Sequence, residues 1–144
     1  MLKGLDPLLS PDLLYVLRAM GHGDELAIVD ANYPANSAGP EAVRLDAASA
    51  TEALDAILSV MPLDDFAPEA CWVMAPVEKA AKEPAIFAEF RSLVTKREGD
   101  RFKLAALERF EFYARAKQSF AIVATGERRL YGNIILKKGI IRPD

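Results

Sequence analysis

Glu25-Leu26-Ala27-Ile28-Val29, set between Gly21-His22-Gly23-Asp24 and Asp30-Ala31-Asn32, is the stretch that decides the architecture. This stretch, with its apolar run Leu26–Val29, is too short for an amphipathic helix and reads as a strand buried on both faces. Such strands belong to α/β proteins, in which helices cover both faces of a largely parallel sheet. Upstream, Ser10-Pro11-Asp12 opens a helix: serine caps free amides, proline suits the first helical position, and aspartate favours the positive end of the helix dipole. Leu13, Leu14, Leu17 and Met20 form its apolar stripe, and Gly21 is the natural stop.

Downstream the alternation continues. Residues 30–40 are rich in Asn, Pro and Gly and read as a long loop, a length more often functional than filler. Ala42–Asp46 reads as a strand, and Ser49 or Thr51 begins a helix through Met61. Ala70–Pro76 is a third strand and Pro84–Arg97 a helix. Phe102–Leu107 is a strand, Arg109–Gln118 a helix, and Phe120–Ala124 and Tyr131–Leu136 two last strands. The short polar turn between those two predicts an antiparallel hairpin. The expectation is a single α/β domain over residues 1–144, layered α/β/α, with a mixed, largely parallel sheet.

Composition narrows the function. The chain has 144 residues, 51% hydrophobic and 27% charged, enough for a proper core and unlike a disordered chain. A net charge of −3 gives no bulk attraction to nucleic acid. Cys71 is the single cysteine, which rules out an internal disulfide and suits a reducing compartment. No apolar run approaches the roughly 20 residues of a membrane span. Lys3 and Pro7 interrupt the N-terminus where a signal peptide needs an apolar stretch, so a cytoplasmic location is expected.

Several chemistries drop out. Gly21-His22-Gly23 ends a helix and precedes a strand, the reverse of the context a dinucleotide-binding fingerprint needs, and no phosphate-cradling loop occurs. One histidine and one cysteine far apart give no metal-ligand spacing. Ser37, Ser49 and Ser59 sit in no nucleophile-elbow sequence. What remains is acid–base chemistry without a cofactor. His22, the only histidine, can give or take a proton near neutrality, and Asp30 at the end of the same strand can accept one or hold a hydroxyl. A histidine at a helix end also serves as a dipole partner, and an aspartate at a strand end as a turn former. Arg109 and Tyr113, four apart, share a helix face. Tyr131 and Asn133, either side of Gly132 on the expected last strand, would point to one side. Lys137-Lys138 reads as a solvated terminus.

At these residues the chain resembles the L-fucose mutarotase and D-ribose pyranase family. The resemblance runs nearly end to end. It is most specific at Met1-Leu2-Lys3-Gly4, Asp6-Pro7-Leu8-Leu9-Ser10-Pro11, Met20-Gly21-His22-Gly23-Asp24-Glu25 and Asp30-Ala31-Asn32-Tyr33-Pro34-Ala35. Further matches are Phe112-Tyr113-Ala114-Arg115-Ala116, Phe120-Ala121-Ile122-Val123-Ala124-Thr125-Gly126-Glu127 and Tyr131-Gly132-Asn133-Ile134. The ribose branch usually carries histidine and lysine where Arg109 and Tyr113 stand, so the likeness is to the fucose branch. It implies His22 as proton donor, and Asp30, Arg109, Tyr131, Gly132 and Asn133 as sugar-binding positions. Tyr113 joins them because the ribose branch places a site lysine there. It also implies a homo-oligomer, in many members a ring-shaped decamer. A ribose pyranase activity and a non-catalytic sugar-binding module are the other readings that this sequence accommodates.

His22 and Asp30 are eight residues apart across a strand, up to roughly 26 Å at about 3.3 Å per residue. No monosaccharide spans that, so either the glycine-flanked segment folds back or the two residues serve one site from different subunits. The second is the expectation.

Overall fold

The computed structural model describes residues 1–78 and 82–143. Its elements run α1 (Pro11–Ala19), β1 (Glu25–Val29), a 3-10 turn (Ala35–Ser37), β2 (Glu41–Leu45), α2 (Ala50–Leu58), β3 (Cys71–Met74), α3 (Ala85–Glu98), β4 (Leu104–Leu107), α4 (Arg109–Lys117), β5 (Ala121–Thr125) and β6 (Ile134–Lys137). The caps explain the boundaries. The Ser10 hydroxyl accepts from the Leu13 amide, with Pro11 in the first turn. Ser49 and Glu52 form a reciprocal capping box that starts α2.

The six strands form one sheet in the order β2-β5-β1-β6-β3-β4. Five strands are parallel to one another, and β6 runs antiparallel between β1 and β3. β1 is enclosed, with four of its residues completely buried, as its unbroken apolar sequence requires. Alternate side chains leave the sheet on opposite faces. Leu26 and Ile28 join the core under α1, α2 and α3. Ala27 and Val29 face Phe112 and Ala116 of α4 and Ala35 of the long loop. The layering is α/β/α, with one face covered by three helices and the other by one helix and a loop.

Three expectations fail. β5 and β6 are not a hairpin. The segment after β5 crosses over the end of β1, where the Ala31 amide donates to the Glu127 carbonyl, and β6 then descends on the far side of β1. Tyr131 to Asn133 do not belong to the strand, which begins at Ile134; Tyr131 lies in a turn at φ 63°, so the alternation argument for its side chain does not hold. Lys138 is not a free terminal charge: its ammonium donates to the carbonyls of Leu17 and Met20 at 2.7 and 2.6 Å, closing the C-terminal end of α1.

Candidate functional site

Because the five parallel strands point the same way, their carboxyl ends form one edge of the sheet, where α/β folds gather binding residues. Asp30 follows β1 at this edge, Arg109 follows β4, and Asn133 precedes the antiparallel β6. Asp30 and Asn133 are locked together. The Asn133 Oδ1 accepts from the Asp30 amide and its Nδ2 donates to Asp30 Oδ2, both at 2.9 Å, while the Asn32 amide donates to Asp30 Oδ1 at 2.9 Å. Burial pushes the Asp30 carboxyl above its ordinary range, and the bonds from Asn32 and Asn133 offset only part of that.

Gly132 permits this approach by lacking a side chain. A Cβ there would sit 2.6 Å from Glu127 Cγ, 3.2 Å from the Arg129 carbonyl oxygen and 3.4 Å from Asp30 Cβ. The Tyr131 hydroxyl accepts from the Val77 amide at 3.2 Å, which ties the turn to the segment after β3. Arg109 opens α4 with its guanidinium over the Phe110 ring, 4.6 Å from the centroid, and with its Nε buried and unpartnered among the described residues.

Tyr33 connects the two groups. Its ring lies 5.4 Å from that of Tyr113, and its amide donates to the Asp30 carbonyl. Its hydroxyl is buried without a partner among the described residues. Burial, with Tyr113 and Asp30 nearby, pushes the phenol up to about 12, so it stays a donor. A cleft of about 310 Å³, lined by Asp30, Tyr33, Arg44 and Thr125 among others, opens beside this cluster. The edge thus presents hydrogen-bonding groups and aromatic faces, the equipment that recognises a polyhydroxylated ring.

His22 is elsewhere. It follows α1 and precedes β1 at the opposite, amino edge of the parallel strands. Gly23 takes φ 86° and its amide donates to the Lys138 carbonyl at 2.9 Å, so of the two glycines it is Gly23 that uses the left-handed backbone region. The imidazole Nε2 lies 3.0 Å from Asp64 Oδ1, and the ring packs at 5.3 Å, tilted, against Phe66. Burial works against the Asp64 charge, but the hydrogen bonds from His22 and from the Phe66 amide prevail and hold the carboxyl below its ordinary range.

Asp30, Arg109, Tyr113, Tyr131, Gly132 and Asn133 therefore share one edge, while His22 stands at the other. Sequence reading missed Tyr33 and Asp64. Tyr33 looked like one more residue of a turn, although it sits within a quoted motif. Asp64 lies 42 positions from His22 with no pattern linking them.

Residues 3–141 match the model of the RbsD / FucU transport protein family. The chain is 45% identical to human fucose mutarotase, over 97% of this chain and 94% of that one, and 46% identical to the zebrafish fucose mutarotase, over 99% and 96%. Among solved structures, the fucose mutarotase of Streptococcus pneumoniae in complex with L-fucose superposes with a TM-score of 0.92 at 42% identity, covering 98% of this chain and 100% of that one. The RbsD of Bacillus subtilis, complexed with D-ribose, shares the fold with a TM-score of 0.73 at 22% identity, over 99% of this chain and 100% of that one.

Proposed function

Because the chain belongs to the RbsD / FucU family, we propose that it is an L-fucose mutarotase, which interconverts the α and β anomers of fucose. The observation that carries this is the carboxyl-edge cluster of Asp30, Asn133, Tyr33 and Arg109, joined to 45% and 46% identity over nearly the full length with two vertebrate fucose mutarotases. The S. pneumoniae relative binds L-fucose on the same fold.

The reaction opens a cyclic hemiacetal and closes it on the other face of the aldehyde. As the bond between C1 and the ring oxygen breaks, the ring oxygen takes a proton from an acid. The anomeric hydroxyl gives up its proton to a base, and its electron pair becomes the second bond of the carbonyl. Rotation about C1–C2 and the reverse steps give the other anomer. Opening and reclosure leave the oxidation state of the sugar unchanged, so the reaction needs no oxidant or reductant. His22 is the proton donor in this reading. Asp30 is the acceptor or the anchor of the anomeric hydroxyl, and Arg109, Tyr113, Tyr131 and Asn133 hold the remaining hydroxyls. A well-placed acid or base contributes about 10²–10⁴-fold.

One chain does not bring these groups together. The five residues of β1 alone separate His22 from Asp30 by roughly 16 Å at about 3.3 Å per residue, with both ends pinned to β6. The site is therefore composite: the His22 of one subunit reaches the carboxyl edge of another, and the working form is a homo-oligomer, on the family's pattern a decamer. No described helix is long and apolar enough to cross a membrane.

Saturation-transfer NMR on L-fucose anomers tests the activity. Wild type should exchange the anomers, and His22→Ala should lose about 10²–10⁴-fold. Unchanged exchange in the variant refutes the donor role. No exchange of fucose by the wild type, against rapid pyranose–furanose exchange of ribose, replaces the substrate.

A further inference from the structure

We propose that Asp64 is a positioning residue for His22, holding the imidazole proton on Nε2 so that Nδ1 is the atom that passes a proton to and from the sugar. The inference rests on the reading of His22 as proton donor and specifies which nitrogen acts. A carboxylate accepts hydrogen bonds and does not donate them. With Nε2 3.0 Å from Asp64 Oδ1, the proton of the neutral ring must lie on Nε2. The side chain of Asp64 is only 5% exposed, whereas that of His22 is 45% exposed, so the pair is fixed from beneath and open above.

The support under this pair is extensive. Asp64 Oδ1 also accepts from the Phe66 amide at 3.0 Å, and the Asp64 amide donates to the Lys137 carbonyl at 3.0 Å. The amide of Gly23 donates to the carbonyl of the next residue, Lys138. Histidine and aspartate, far apart in sequence, thus hang from consecutive carbonyls at the end of β6. The loop carrying Asp64 is braced again by Arg142, which bonds both oxygens of Asp65 at 2.7 and 3.0 Å and lies over the Phe66 ring. A histidine that served only as a helix-end partner would need no buried acceptor of its own.

The consequence is a division of labour on one ring. Nε2 keeps its proton throughout. Nδ1 carries a proton in the imidazolium form and delivers it to the ring oxygen as the C1–O bond breaks, then takes one back when the ring recloses.

His22 is the only histidine, so a protein labelled with ring-¹⁵N histidine reports on this residue alone. At a pH where the ring is neutral, wild type should show protonated Nε2, with a proton signal protected from exchange with water, and unprotonated Nδ1. Asp64→Ala should lose that protected signal and reduce saturated fucose exchange about 10- to 100-fold, with KM changed less than about two-fold. Asp64→Asn keeps an acceptor oxygen and should recover much of both. If the alanine protein fails to fold, the tautomer read from the wild-type spectrum decides the proposal by itself. A proton on Nδ1 in wild type overturns the proposal, as does an Asp64→Ala protein with the Nε2 signal and exchange rate intact. Because the spectrum needs no turnover, full exchange by His22→Ala would defeat the proton-donor reading while leaving the tautomer assignment separately decided.

Discussion

The two ends of the β1–β6 pair make an instructive contrast. At the amino edge of the parallel strands, Asp64 is buried against a histidine, and its carboxyl is held below the ordinary range. At the carboxyl edge, Asp30 is buried against the neutral amide Asn133, and its carboxyl is pushed above that range. Both carboxylates accept hydrogen bonds, and both are nearly inaccessible. The difference lies in the partner. A ring that can carry positive charge repays desolvation of an anion, and an amide repays only part of it. One end is built to keep a carboxylate charge beside an imidazole. At the other, burial favours the protonated carboxyl.

The test with the largest expected effect asks whether the two ends cooperate across subunits. His22→Ala and Asp30→Ala should each be nearly inactive, with fucose exchange down about 10²–10⁴-fold. Co-expressed, they should form mixed oligomers in which about a quarter of the sites draw both intact residues from different chains. Fucose exchange recovered to that level supports the composite site, and mixed oligomers as inactive as either parent would break it.

A smaller effect probes the packing that keeps the carboxyl edge closed. Gly132→Ala forces a Cβ to within 2.6 Å of Glu127 Cγ, so the turn must shift away from Asp30. A loss of about 1–3 kcal/mol in urea unfolding is expected, together with weakened fucose binding. A variant of wild-type stability and affinity would show that the turn yields more easily than its contacts imply.

The smallest effect separates the signs of the buried carboxyls. Hydrogen bonds from Arg129 outweigh burial and hold Glu127, beside Asp30 in the crossing loop, down to about 2. Its folded value lies below its unfolded one, so its contribution is present above about pH 4.5 and is lost as pH falls through about 2. The Arg129 side chain is 42% exposed, so solvent screens the pair, and about 1 kcal/mol is expected. Urea unfolding of wild type and Glu127→Gln between those pH values should converge as the solution is acidified. Asp30 works in the other direction, since its raised carboxyl favours the fold at low pH and costs stability as pH rises through the folded value. Curves for Glu127→Gln that stay parallel to wild type would remove Glu127 from this account.

Much of the architecture was legible in the chain. The apolar run Leu26–Val29 announced an enclosed strand, and the Ser10-Pro11 and Ser49–Glu52 caps announced helices, because these signals are local and depend on backbone geometry within a few residues. Strand pairing was less accessible. A short polar turn is compatible with a hairpin, but hydrogen bonding between Ala31 and Glu127 draws the segment across the end of β1. The same kind of long-range pairing turned Lys138 from a solvated charge into a helix cap.

By itself the sequence determined the α/β class, the alternation of elements and the residues able to do proton chemistry, since composition, periodicity and capping act over short stretches. Tertiary structure alone decided that Asp30 meets Asn133 across 103 positions and that His22 leans on Asp64 across 42. Those pairings arise where strands distant in sequence become neighbours in a sheet, and register between strands, not spacing along the chain, sets which side chains meet.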